Sequence, residues 1–282
     1  MPSAQELVKK FIDLKTLPHV ALRLTKLVND ENSTMHDFEE VIKLDPVLVT
    51  RLLRLVNSPY FGLINRVESI PKAVVYVGMK NLRNLVAVEA LRNLFKGAET
   101  QGGFSRKNLW LHSATVAIVA EMIAKRLFGL EGEDVFLAGI LHDIGLVVED
   151  QLAGDLLQKA CAAYDPARNT LVACEQEAIG ADHCAVGALL AKDWRLPDEV
   201  LRAVKFHHDY EKKHPLTSIV SILQLAEYIA GKLQYSPLVG RFDPLPPHLV
   251  RHVRSMMANY KVIMRDLPGE MAKAKDLYEP VE

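Results

Sequence analysis

Leu137-Ala-Gly-Ile-Leu-His-Asp-Ile-Gly145 decides the reading of this chain. Its first five residues are small or apolar and suit a buried helix, and they run directly into His142 and Asp143, two side chains that ligate divalent cations. Where a helix terminates, such an adjacent pair can turn both side chains toward one ion, and Gly145 supports a termination there.

Further histidines flank this pair on both sides. His112 lies 30 residues before His142, His183 lies 40 residues after Asp143, and the tandem His207-His208 follows. Each is expected at or near a helix end. Separations this long are not a local ligand signature like C-x-x-C, so the surrounding residues must carry the assignment.

Those surroundings are helical. Apolar residues recur at three- and four-residue spacing, as in Leu7, Phe11, Leu14, then Leu24, Leu27, Val28, then Phe38, Val41, Ile42, and Leu52, Leu55, Val56. Helices are expected over Leu109–Leu127, Glu133–Leu141, Leu152–Tyr164, Val172–Ala178, His183–Trp194, Pro197–His207 and Leu216–Leu233. The turn Phe242-Asp-Pro-Leu-Pro-Pro247 then introduces one or two more. Thr34 and Asp37 fit a capping box, Asp45-Pro46 an N-cap with proline at the first helical position, and Gly78 a helix end. Sustained alternation of apolar and polar residues is missing, so the expected fold is all-α, a helical bundle of two subdomains. The polar, three-glycine segment Lys96–Phe104 is the best internal boundary and gives subdomains 1–98 and 99–282.

Composition narrows the functional classes. With 34 Lys and Arg against 35 Asp and Glu, the net charge is −1, so no global field draws the chain to nucleic acid or to an anionic membrane. No apolar run approaches the ~20 residues that cross a bilayer, and the first residues lack a signal peptide's order, so a cytoplasmic protein is expected. Cys161, Cys174 and Cys184 form no C-x-x-C pair and are read as core residues.

In the first half, Leu52-Leu-Arg-Leu-Val-Asn-Ser-Pro-Tyr-Phe-Gly62 contains a helix stop. Pro59 turns Ser58 away from the helical region, while Asn57 and Ser58 can bond local backbone. Tyr60 and Phe61 are expected to anchor the turn into the core. Residues 46–96 hold eight basic side chains against Glu68 and Glu89 only, a distribution able to receive an anionic ligand or an acidic partner.

These strings resemble known families. Leu137–Gly145, Leu111-His112-Ser113, Asp182-His183 with Gly187, and Phe206-His207-His208 are similar to the core of the HD superfamily, in particular its two-metal branch. Val41-Ile-Lys-Leu-Asp-Pro46, Asn57-Ser-Pro-Tyr-Phe-Gly62 and Ser69-Ile-Pro-Lys-Ala-Val74 resemble the hallmark of the HDOD family. The likeness spans roughly residues 7–235 and implies that the second subdomain is an HD-domain-like helical core. It also implies a metal set of His112, His142, Asp143, His183, His207, His208 and Glu227, holding one or two divalent ions such as Fe, Mn or Zn. Asp143 would be the bridging ligand, and the central residue if the chain is catalytic.

The chain departs from the two-metal enzymes at Leu146, where they carry a phosphate-gripping lysine. It departs again at Glu227, where aspartate is usual, and at Asp209-Tyr-Glu-Lys212, which replaces a Gly-Tyr-Pro loop. The expectation is therefore a bacterial signal-transduction protein that engages a signalling partner or a small anionic ligand. A metal-dependent phosphohydrolase is the alternative, and a nucleic-acid-binding regulator the second.

Overall fold

The computed structural model describes residues 2–14, 34, 37, 40, 41, 46–95 and 103–274. The apolar positions Leu24, Leu27, Val28, Phe38 and Ile42, the Asp45 cap and most of the Lys96–Phe104 boundary lie outside the described residues. The helices are α1 (Ala4–Leu14), α2 (Pro46–Val56), α3 (Ile70–Val77), α4 (Met79–Arg92), α5 (Arg106–Phe128), α6 (Glu133–Leu141), α7 (Ile144–Ala163), α8 (Leu171–Ala178), α9 (His183–Asp193), α10 (Asp198–Phe206), α11 (Ile219–Lys232), α12 (Pro247–Ser255) and α13 (Met257–Lys273). Among the described residues there is no strand beyond isolated bridges.

Local chemistry sets the helix ends. Thr34 and Asp37 form the reciprocal capping box, with Thr34 N donating to Asp37 Oδ2 (2.7 Å) and Asp37 N to Thr34 Oγ1 (3.3 Å). Ser69 accepts from Lys72 N at the start of α3, and Gly78 closes that helix at a φ of 80°, where a side chain would be strained. Asn57 ends α2 and staples the following loop: its amide donates to Val67 O (2.8 Å), and its Oδ1 accepts from Val67 N (2.7 Å). Tyr60 then reaches across to Glu121 on α5 and packs 6.1 Å from the Phe136 ring of α6. This ties the first half to the second, as an anchoring aromatic should.

α5 is the central helix. From Leu109 to Ala124 it is buried on nearly every side, which explains why its apolar residues show little one-faced periodicity. It packs on α6 and α11, while α9 packs on α7 and α10 and α1 lies across α7 and α9. The apolar core is continuous from Phe11 and Leu52 through Leu82 to Ile118, Val148 and Ile222.

One expected boundary is corrected. The helix placed at Leu152–Tyr164 begins eight residues earlier, at Ile144, and the backbone breaks at Ala153 (φ −142°, ψ 32°). The stretch Ile144–Glu149 is buried all round, so it lacks the polar face that marks a surface helix. Gly145 therefore opens α7 instead of stopping α6. A Cβ there would lie 2.0 Å from the carbonyl oxygen of His183, so the glycine allows α7 and α9 to meet backbone to backbone.

Candidate metal centre

Six helix ends and turns deliver the donors to one buried point. His112 lies in the second turn of α5, His142 caps the C-terminus of α6, and His183 is the first residue of α9. His207 caps α10, with His208 next to it, and Glu227 comes from α11. Asp143 stands at the N-cap of α7 but makes no side-chain cap. Its carboxylate faces the histidines instead, a position an aspartate would ordinarily use to satisfy the helix.

Around that carboxylate the imidazoles fall into two pairs. Asp143 Oδ2 lies 3.2 Å from His142 Nε2 and 3.5 Å from His112 Nε2. Oδ1 lies 3.5 Å from both His183 Nε2 and His207 Nε2. Within the pairs, the Nε2 atoms of His112 and His142 are 3.1 Å apart and those of His183 and His207 are 3.3 Å apart.

The opposite ring nitrogens fix the proton positions. Nδ1 of His112 donates to Tyr235 O (2.6 Å), of His142 to Gly139 O (2.8 Å), and of His207 to Val204 O (2.8 Å). Nδ1 of His183 donates to Glu175 Oε2 (2.7 Å). A carbonyl or carboxylate oxygen only accepts, so each Nδ1 carries its proton and each neutral ring turns an Nε2 lone pair inward. Lone pair facing lone pair at 3.1–3.3 Å is repulsive unless a proton or a metal cation lies between them.

Metal-capable atoms of His112, His142 and Asp143, and of Asp143, His183, His207 and His208, lie within 4.8 Å of one another. A first-row ion with bonds of about 2.1 Å sets neighbouring donors about 3.0–3.4 Å apart, close to the spacings here. Glu227 Oε1 sits 3.5 Å from His142 Nε2 and 3.9 Å from His207 Nε2, and this buried oxygen has no hydrogen-bond donor. Imidazole, carboxylate and an orphaned oxygen together make a donor set that would suit divalent cations, with Asp143 common to both groups of donors.

Electrostatics follow the same division. Burial, with His142 alongside, pushes His112 down to about 4. Burial disfavours charge on His183 and His207, yet Cys184 and Glu175 at His183, and Cys184, Glu227 and Asp143 at His207, together outweigh it, and both rise well above the ordinary imidazole range. Burial would raise Asp143, but His142, His207 and His183 hold it well below the usual carboxylate range.

A strap from Tyr235 to Leu245 covers the centre. Besides Tyr235 O, it supplies Asp243, whose Oδ2 lies 3.2 Å from His208 Nδ1 and whose Oδ1 accepts from Tyr164 (2.7 Å). Leu146 and Arg241 line the cavity beneath it with His112, Asp143 and His208. Arg241 Nη1 donates to the carbonyls of Cys161 (2.7 Å) and Tyr164 (3.0 Å), which pins the guanidinium at the end of α7.

All seven residues singled out in the sequence as donors converge here. Asp243, Glu175 and Cys184 do not announce themselves in the sequence. Glu175 orients His183 and Asp243 orients His208, the outer carboxylate role that fixes a ligand imidazole. No helix among the described residues is long and apolar enough to cross a membrane.

Similar proteins agree with the fold. An HDOD domain protein of unknown function from Geobacter sulfurreducens is 28% identical, with a TM-score of 0.69 over 96% of this chain and 92% of that one. A protein from Shewanella amazonensis SB2B, provisionally assigned as a phosphohydrolase, is 27% identical, with a TM-score of 0.69 over 96% and 95% of the two chains. An uncharacterized protein of Treponema pallidum (strain Nichols) is 28% identical over 244 residues, 83% of this chain, and this chain spans about half of its length (46%). The HDOD domain family model matches residues 14–210, and the chain belongs to that family.

Proposed function

We propose that this chain is a signal-transduction module whose working part is a two-cation centre bridged by Asp143. His112, His142 and Glu227 hold one side, and His183, His207 and His208 the other. The observation that supports this reading is the facing of Nε2 lone pairs, 3.1 and 3.3 Å apart, across one carboxylate. The centre binds a small anion in the cavity beneath the strap, and the helices of residues 1–98 present the outcome to a protein partner.

Regulation is favoured over turnover because Leu146 occupies the wall of that cavity and Arg241 is committed to two backbone carbonyls. Cleaving a phosphoester needs an activated water and charge stabilisation on the phosphate. When bound, the cations would supply Lewis acidity, while the chain's own residues orient the donors and exclude water.

The second reading is a metal-dependent phosphohydrolase, favoured by the completeness of the donor set. Elemental analysis of protein purified without chelators, followed by assays on a panel of phosphoesters, separates the two. Bound metal without turnover supports the regulator. Metal-dependent turnover that disappears in Asp143→Ala establishes the enzyme, and protein that takes up no metal sinks both.

A further inference from the structure

α3 and the chain on either side of it carry apolar and basic side chains that the fold does not use. Ile70, Ala73, Val74 and Val77 follow helical spacing and form the inward face of α3. On the outward face Lys72 stands between Val75, 81% exposed, and Tyr76, 52% exposed. β-branched and aromatic residues are poor helix formers, and at these positions they gain no burial in return. The loop leading into α3 repeats the pattern, with Ile64 98% exposed and Arg66 exposed two residues later. That loop is held in shape, since Asn57 bonds both the amide and the carbonyl of Val67.

The charge here is one-sided. Lys72 lies in the first turn of α3 and Lys80 in the first turn of α4, where the helix dipole opposes a positive charge, and neither helix has an acid in that turn. Among the described residues Lys72, Lys80 and Arg66 form no ion pair. Of the two carboxylates between residues 46 and 95, Glu89 is buried and pairs with Arg51 and Arg92, which leaves Glu68 alone on the surface. Exposed apolar side chains framed by unpaired cations match a partner that brings apolar groups set among carboxylates.

We infer that the face of Lys72, Val75 and Tyr76, flanked in the chain by Ile64, Arg66 and Lys80, docks an acidic amphipathic segment of a signalling protein. This rests on the reading that residues 1–98 meet a protein partner, and it names that partner's chemistry. Tyr76 is the anchor, because it offers a large apolar ring and a hydroxyl with few torsions to order. Burial of Tyr76 and Val75 supplies the affinity. The cations guide approach and orientation, since charges at the rim of an interface act more on encounter than on strength. A bare oxyanion is not the occupant, because it would leave both apolar side chains in water.

A random peptide library displayed on phage tests this on the full chain, followed by titration of fluorescent synthetic copies of the retained peptides. The variants are Val75→Ser/Tyr76→Ser and Lys72→Glu/Lys80→Glu. All four side chains are exposed, and the second variant places acids where the helix dipoles favour them, so circular dichroism should match wild type. The expected peptides carry Asp or Glu among Leu, Ile or Phe and bind wild type more weakly as salt rises. Each variant should bind them about tenfold or more weakly. Retained peptides without acidic residues, or acidic ones that bind both variants like wild type, would overturn the docking face and leave the partner reading standing. So would a dimer in sedimentation velocity, or adhesion to phosphatidylglycerol vesicles, that the same variants abolish, because a second copy or a lipid surface is then the occupant. Wild-type protein that retains no peptide defeats the partner reading, and this inference with it, without touching the cation centre.

Discussion

His183 Nε2 and His207 Nε2 face each other across 3.3 Å while each ring gives its Nδ1 proton to an oxygen on its far side. Cys184 and the nearby carboxylates raise both rings well above the ordinary imidazole range against the effect of burial. Protons and metal ions therefore compete for the same electron pairs.

Metal affinity should accordingly rise with pH. Each proton held in the metal-free protein must leave on binding, so binding is disfavoured in acid and strengthens as pH increases toward the raised imidazole range. Zinc titrations against a chromophoric chelator at pH 6 and pH 8 check the sign. Equal affinities at the two pH values would show that neither imidazole is displaced from its proton.

Asp243 should matter although it touches no other proposed ligand than His208. Replacing it with alanine removes the carboxylate 3.2 Å from His208 Nδ1 and the acceptor of the Tyr164 hydroxyl. Loss of such an outer carboxylate weakens metal binding by roughly 10–100-fold. Tyr164→Phe, which leaves the His208 contact in place, should have a smaller effect. Competition titration measures both, and an unchanged affinity in Asp243→Ala means that His208 is held by its other partner, the Tyr210 hydroxyl 2.9 Å from Nδ1, alone.

Glu149 carries a separate pH signature. It is fully buried, both of its carboxyl oxygens lack partners, and burial together with neighbouring Glu175 raises it well above the usual carboxylate range. A raised carboxyl binds its proton more tightly in the folded chain than in the unfolded one. Its contribution to stability is thus complete below the unfolded value of 4.5 and declines as pH climbs from there toward the raised value. Glu149→Gln should flatten that decline and raise the melting midpoint at pH 8, by about 2–4 °C for each kcal/mol recovered. Melting curves at pH 5 and pH 8 decide it, and an identical pH dependence in the variant would mean that Glu149 is ionised in the fold.

Gly145→Ala should be severe. Its Cβ would meet the His183 carbonyl oxygen at 2.0 Å and the Cα at 2.7 Å, and backbone cannot step aside as a flexible side chain can. Overpacking of this kind costs roughly 1–3 kcal/mol or more, and it pushes α9 and its histidine off the centre. Urea denaturation and metal content should fall together, whereas a wild-type midpoint with full metal would show that the two helices can separate.

Much of this was legible in the sequence, for identifiable reasons. Helical spacing and caps located the elements, and Glu133–Leu141 matches its helix residue for residue. His112, His142, Asp143, His183, His207, His208 and Glu227 stood out because residue context, more than spacing, marked them. Ile144–Gln151 was missed because a helix buried on all sides has no polar stripe to reveal its period. Asp243 was missed because nothing local distinguishes a turn aspartate from one aimed at an imidazole, and it lies outside the region matched by the family. The division at residues 98 and 99 remains a proposal, with apolar core packed on both sides of it.

The covering strap makes entry and retention one problem. Tyr235 holds the ring of His112 by its carbonyl, and Asp243 holds His208 by its carboxylate, so the segment that roofs the cavity is also part of the frame that aims the donors. Were it lifted to admit the proposed anion, the imidazoles of His112 and His208 would lose their outer partners together. A binding event at either end of the Tyr235–Leu245 segment would then register as a change in grip on whatever lies below.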